Sequence, residues 1–257
     1  MASTAKARPR SDIPPAPPLL DLTGIALFAD LDGTLARIEA TPDAVKPDPE
    51  RRRLMDSLLR ALSGRLAVVS GRGLADIDRV LEGRVPAVAA VHGLVRRDAA
   101  GRVAAAREAD KIGEALDDLR AFAVADRGLL VENKDSAVAL HYRRAPQTEE
   151  ACRELARRLG ATLGLSVQEG DMVVELRTPG EDKGGSVRAF MREAPFAGFK
   201  PVFLGDDLTD ENGFAAAEAL GGFGVVVGPR RPTAARYALA DVGAVRDWLA
   251  HSLARAN

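Results

Sequence analysis

The sequence predicts an α/β protein: a parallel-sheet core interrupted by an α+β insertion. Three observations carry that expectation. The runs Ile25–Ala29, Leu66–Val69 and Pro201–Leu204 are short and apolar throughout, the pattern of strands buried on both faces. They alternate with amphipathic helical patterns, an order that requires right-handed crossovers and parallel pairing. Between about residue 96 and residue 177 the pattern changes to paired runs joined by short turns, the signature of hairpins.

Each element follows from local chemistry. After the first strand, Pro47-Asp48-Pro49 offers Asp48 as N-cap and Pro49 as first helical residue, with Leu54, Leu58 and Leu62 on one face and Gly64 as the stop. Leu66–Val69 ends at Ser70-Gly71-Arg72, and Leu74, Ile77 and Leu81 mark the next helix. Ala87–Val91 is a third strand that runs into His92-Gly93. Leu94–Arg96 and Val103 then flank the turn Asp98–Gly101 as a hairpin.

Ile112, Leu116, Leu119 and Ala123 stripe a long helix, followed by strands at Leu129–Lys134 and Ala137–Arg143. A helix from Thr148 to about Leu159 precedes strands at Ser166–Glu169 and Met172–Leu176. The polar loop Pro179–Gly184 opens a helix carrying Val187, Phe190 and Met191; Phe223–Val227 is expected as the last strand, and Val242, Val245, Trp248, Leu249 and Leu253 as the closing helix. The expected division is a disordered tail at 1–22, a core from 23–95 and 178–257, and an inserted unit at 96–177.

Composition bounds the function. The 257 residues are 46% hydrophobic, enough for a sizeable core, and 36 Lys+Arg against 37 Asp+Glu leave a net charge of -1. That balance argues against nucleic acid or an anionic membrane as partner, so phosphate recognition must be local. Cys152, the one cysteine, falls on an apolar helical stripe and reads as a small core residue. No apolar run reaches the length of a membrane span, and the N-terminal segment lacks a signal peptide's apolar region; a cytoplasmic monomer is expected.

The chemistry concentrates at strand ends. Asp30 follows the first strand, Asp32 projects to the same side while the chain stays extended, and Gly33-Thr34 bends it so that both carboxylates can meet one cation beside anion-binding amides. Ser70 ends the second strand, Lys183 stands at a helix start, and Asp206, Asp207 and Asp210 follow the strand Pro201–Leu204. In the insertion, alternation places Glu132 and Lys134 on one strand face and Glu175 on the corresponding face of another. A charged face of that kind reads by itself as solvated surface, and His141, alternating in the same way, reads as structural.

In this order the groups closely resemble the four motifs of the haloacid dehalogenase (HAD) superfamily of phosphatases. The resemblance implies a HAD-like Rossmannoid core with a parallel sheet, and an insertion placed as an α+β type 2 cap. VHG, VENKDSAVALHYR, VELRTPGEDKGG and GDDLTDE narrow it to the trehalose-6-phosphate phosphatase family from about Thr23 onward. It implies Asp30 as nucleophile and Asp32 as acid and base, with Ser70 and Lys183 on the phosphoryl group. Magnesium would be held by Asp30, the Asp32 carbonyl and Asp206, with Asp207 and Asp210 ligating or acting through water. Phosphate-side contacts are expected from Gly33, Thr34 and Gly71. Glu132, Lys134 and Glu175, with Arg143, would read the sugar of trehalose 6-phosphate in trehalose biosynthesis.

The alternatives are other capped phosphatases acting on sucrose phosphate or a hexose phosphate, a phosphomannomutase, a phosphoryl-accepting receiver module, and a non-catalytic binding protein. A receiver is about half as long and has its phosphoacceptor at the third strand. A binding protein would not need every catalytic carboxylate, and here none is missing.

Overall fold

The computed structural model describes residues 14–105, 109–133, 137–178, 182–229 and 232–256. Strand β1 (Ile25–Ala29) is buried along its whole length and is the parallel neighbour of both β2 (Leu66–Val69) and β10 (Lys200–Gly205). Between β1 and β2 lies α1 (Pro49–Ala61), whose N-cap Asp48 accepts the Glu50 amide at 2.9 Å with Pro49 as its first residue. Helix α2 (Leu74–Leu81) leads to β3 (Ala87–Ala90), and β4 (Val95–Arg97) and β5 (Val103–Ala105) extend the sheet as an antiparallel hairpin.

Helix α3 (Ala109–Ala123), β6 (Leu130–Asn133), β7 (Ala137–His141), α4 (Glu149–Leu163), β8 (Ser166–Gly170) and β9 (Val173–Arg177) form the inserted unit. Its sheet is antiparallel in the order β6-β7-β9-β8. The chain then returns through α5 (Lys183–Phe190), β10, α6 (Asp210–Ala219), β11 (Phe223–Val227), β12 (Tyr237–Leu239) and α7 (Val242–Ala256).

The larger sheet has the order β12-β11-β10-β1-β2-β3-β4-β5. The chain leaves β1 toward β2 on one side and later returns to β10 on the other, so the crossovers diverge between β1 and β10. Ligands of open α/β sheets bind at such a switch, beyond the carboxyl ends of the strands. Alternation along β1 divides the core: Ile25, Leu27 and Ala29 face Met55 and Leu58 of α1, Ile77 of α2, and Trp248 and Leu249 of α7. Ala26 and Phe28 face Val187 and Phe190 of α5, Phe196, and Phe214 of α6. The smaller sheet has its own core with α3 and α4, where Cys152 is fully buried. No helix among the described residues is long and apolar enough to cross a membrane.

Four expectations are revised. The hairpin β4–β5 pairs with β3, so the antiparallel sheet of the insertion begins beyond Ala105 rather than near residue 96. A further short strand, β12, follows the expected last one and pairs with β11 in parallel. Val91 belongs to a short 3-10 turn rather than to β3. Residues 14–22, expected as tail, pack on the core: Leu20 and Leu22 are buried, the Trp248 indole donates to Pro18 O at 2.9 Å, and the Ala238 amide donates to Pro15 O at 3.0 Å. Proline-rich composition suggested a free tail, but two leucines that bury their side chains anchor it.

Phe28 stacks on Phe196 at 5.5 Å between centroids and lies 6.1 Å from Phe190, with no exposed surface. Phe28→Ala is therefore expected to destabilise the fold by about 3–5 kcal/mol, read as a lower denaturant midpoint at unchanged slope. A loss under ~1 kcal/mol would contradict this packing.

Candidate active site

Register sets the site. Ala29 of β1 is level with Leu204 of β10 and Val68 of β2, and the Asp30 amide donates to Leu204 O at 2.9 Å. Asp30, Asp206 and Ser70 therefore emerge side by side at one sheet edge. The chain turns back after Asp32 because the Gly33 amide donates to Ala36 O at 2.8 Å, while the amides of Leu35 and Ala36 both reach Leu31 O. Gly33 has φ +74°, and a Cβ there would lie 2.1 Å from Asp206 Oδ2. That position is closed to side chains on both counts. Of the amides expected to face an anion, the Gly33 amide is used within the loop and the Leu31 amide hydrogen-bonds the Asp30 carboxylate.

Lys183, almost fully buried at the start of α5, gathers the carboxylates. Its Nζ donates to Asp210 Oδ1 at 2.7 Å and lies 3.2 Å from Asp30 Oδ2 and 3.9 Å from Asp207 Oδ1. Burial alone would lower its pKa, but Asp30, Asp210 and Asp207 outweigh that and hold the ammonium above its usual range. Burial, opposed by Lys183, pushes the Asp30 carboxyl up to about 6. Asp206 also rises to about 6, through burial and the charges of Asp210 and Asp207. Asp207 stays below its ordinary value despite burial, because Lys183 and the Thr209 hydroxyl favour its charged form.

Asp210 is wholly enclosed. Burial and Asp30 push its carboxyl up, while Lys183 pulls against them. Its Oδ2 accepts the amides of Asp206 and Asp207 at 2.9 and 3.0 Å, so it shapes the loop that presents Asp206. Asp207 Oδ1 accepts the Thr209 amide and hydroxyl at 2.8 and 2.7 Å, closing the turn into α6. Among the described residues, oxygens of Asp30, Asp206 and Asp210 lie within 4.8 Å of one another. The oxygens of Asp210 already serve Lys183 and two amides. Asp30 Oδ1, by contrast, is buried without a hydrogen-bond partner, and among the described residues the Asp206 carboxylate accepts from the Thr34 hydroxyl alone, at 3.4 Å. An orphaned carboxylate oxygen beside a second carboxylate of raised pKa, among hard oxygen donors, suits a divalent cation, which Asp30 and Asp206 would hold.

Asp32 is held by a residue that sequence reasoning passed over. Arg72 grips both its oxygens, at 2.5 and 2.8 Å, and also donates to Pro42 O at 2.9 Å and Asp76 Oδ2 at 3.2 Å. A basic residue directly after Ser70-Gly71 was the available signal. Ser70 is buried, its amide held by Ala89 O.

One cavity of about 440 Å³ is lined by Asp30, Asp32, Ser70, Gly71, Arg72, His92, Lys183, Asp206 and Asp207, and from the smaller sheet by Glu132. Direct pairing puts Glu132, Ala139, Glu175 and Gln168 in one row across that sheet, so Glu132 and Glu175 share a face on either side of a small residue. His141, two residues beyond Ala139, lies 2.9 Å from Glu132 through its Nε2. Arg143 is not brought to the cavity: beyond the end of β7 it pairs with Asp171, largely exposed. Lys134 lies outside the described residues.

The family model for trehalose-phosphatase matches residues 28–243. The chain is 41% identical over 226 residues to the trehalose-6-phosphate phosphatase of Escherichia coli (strain K12), covering 87% of this chain and 85% of that one. A crystal structure of a trehalose-6-phosphate phosphatase related protein superposes with a TM-score of 0.75 at 26% identity, covering 89% of this chain and 97% of its own. A haloacid dehalogenase-like hydrolase from Bacteroides thetaiotaomicron shares the fold, with a TM-score of 0.68 at 16% identity over 89% and 99% of the two chains.

The raised carboxyls set a pH test. Without a cation, Asp30 and Asp206, ordinarily near 3.8, bind protons more tightly in the folded than in the unfolded chain up to about pH 6. Their contribution to stability is thus present at low pH and lost as pH rises from about 4 through about 6, above which a divalent cation would replace the protons. Saturating magnesium should raise the melting temperature by about 5–10 °C at pH 7.5 relative to chelated protein. At pH 5 the rise should largely vanish. An equal shift at both pH values would refute a site built on these two groups.

Proposed function

The chain belongs to the trehalose-phosphatase family, and from that premise we propose that it hydrolyses trehalose 6-phosphate to trehalose and phosphate through an aspartyl-phosphate intermediate. The observation that carries the reading is one cavity in which Asp30, Ser70 and Lys183 meet Glu132 of the smaller sheet. Phosphoryl chemistry and sugar recognition then occupy opposite walls, with the smaller unit acting as the cap.

In this reading Asp30 attacks phosphorus, while the buried Lys183 ammonium, 3.2 Å from Asp30 Oδ2, lowers the repulsion between nucleophile and dianion. Ser70 hydrogen-bonds a phosphoryl oxygen. Asp32 protonates the departing sugar oxygen and later takes a proton from the hydrolytic water. Both Asp32 oxygens are engaged by Arg72 here, so Asp32 must turn off that guanidinium to reach the leaving group. Asp30 and Asp206, with the Asp32 carbonyl, would hold a magnesium ion, which would supply positive charge against the anionic nucleophile and phosphoryl oxygens. Asp210 and Asp207 serve by positioning Lys183 and the Asp206 loop.

The reading is tested by phosphate release from trehalose 6-phosphate, sucrose 6-phosphate, glucose 6-phosphate and p-nitrophenyl phosphate. Trehalose 6-phosphate should give the highest kcat/KM, with activity lost on chelation. Asp30→Asn should reduce turnover to background in a folded protein; appreciable residual activity would sink the nucleophile assignment.

Glu132 and Glu175, with Lys134, are proposed to hydrogen-bond the sugar hydroxyls. Each such bond to a charged group contributes about 1.5–3 kcal/mol, so Glu132→Ala and Glu175→Ala should each lower kcat/KM for the disaccharide roughly ten- to a hundredfold. The aryl phosphate, which cannot reach the cap, should change by less than about threefold. An unchanged ratio between the two substrates would return these residues to ordinary surface.

A further inference from the structure

His92 has no part in the chemistry above, yet its placement is specific. Val91 and His92 adopt consecutive left-handed conformations, φ +48° and +56°, unusual outside glycine and most so for β-branched valine. They are held there by the phosphate loop, since the Val91 amide donates to Arg72 O and the His92 amide to Ser70 O, both at 2.9 Å. The result lays the imidazole over Gly71, where any Cβ would come within 2.6 Å of Nε2. Strain of this kind persists where the surroundings over-determine it, and it concentrates at functional sites.

The two ring nitrogens differ. Nδ1 is enclosed by protein and has no hydrogen-bond partner, while the ring borders the main cavity. A buried N–H without an acceptor is rarer than a buried lone pair without a donor, so the proton belongs on Nε2. Burial and the adjacent Lys183 push His92 down to about 4, so the ring is uncharged at neutral pH. Glu175 and Asp207 pull the other way, and Arg177 adds to Lys183. His92 also lines both the main cavity and an adjoining one of about 230 Å³, which it shares with Gln168 and Arg177 of the smaller sheet. It is thus a core residue at the seam between the phosphate loop and the sheet face that carries Glu175.

Resting on the sugar-phosphatase reading above, we propose that His92 is a further substrate-binding residue, whose Nε2–H donates to a hydroxyl or ether oxygen of the sugar next to the phosphate. An uncharged donor suits a sugar oxygen, because Lys183 and Ser70 already serve the charged phosphoryl group.

The test compares kcat/KM for trehalose 6-phosphate and p-nitrophenyl phosphate in wild type, His92→Ala, His92→Gln and His92→Asn, with folding checked by thermal melts. His92→Ala should lower the disaccharide value about tenfold or more and the aryl value less than about threefold. Glutamine, whose amide nitrogen reaches the position of Nε2, should restore most of the loss. Asparagine, which tolerates the left-handed backbone but is shorter, should not, and it carries the test if the alanine variant fails to fold. Equal losses on both substrates, no loss on either, or rescue by asparagine instead of glutamine would overturn the proposal. A wild type inactive on trehalose 6-phosphate but active on the aryl ester would overturn the parent reading as well, whereas an active wild type with an unchanged substrate ratio in the variants would overturn His92 alone.

Discussion

The structure depends on one buried ammonium. Lys183 sits almost without solvent among Asp30, Asp207 and Asp210, and through them it ties the start of α5 to the end of β1 and to the β10–α6 loop. A buried amine is tolerable only with such partners. Conversely, four carboxylates, Asp30, Asp206, Asp207 and Asp210, face one ammonium here, an excess of negative charge that burial makes costly. The raised carboxyls of Asp30 and Asp206 express that cost, which a divalent cation would relieve.

Close backbone approach makes the cluster possible. At Gly205 a Cβ would lie 2.1 Å from the Asp210 carboxyl carbon, as one at Gly33 would from the Asp206 carboxylate. Both glycines stand where a strand of the switch point gives way to its loop, so side chains from the two loops can interlock. The second strand contributes differently: its loop holds Arg72 against Asp32 and accepts the amides that fix Val91 and His92.

Among the described residues, the smaller sheet acts on this neighbourhood through the fields of Glu175 and Arg177 on His92. Its row Glu132–Ala139–Glu175–Gln168 places two carboxylates on either side of Ala139, with Ala137 and His141 before and after it on the same face of β7. The two sheets are built on their own hydrophobic clusters, with Ala137 of β7 packing into that of the larger sheet.

The sequence by itself determined what depends on nearest neighbours along the chain. Buried-strand runs, Asp48 as cap, and the alternation placing Glu132 and Glu175 on one face were legible because period and capping are local properties. So were the carboxylates after β1 and β10, since an apolar strand that stops at Asp must deliver it to the sheet edge. Only the tertiary structure decided which strands are adjacent, and with it everything that rests on distance. The long side chain of Arg72 reaches Asp32 forty residues away, and Asp210 turns inward to Lys183 rather than toward the ligand side. Arg143 runs past the end of β7 to Asp171, and the hairpin after His92 joins the larger sheet, where β3 has a free edge to pair with. His92 stood out in the sequence only as part of VHG, and its placement over Gly71 did not, because a left-handed backbone held by two carbonyls of another loop leaves no trace in periodicity.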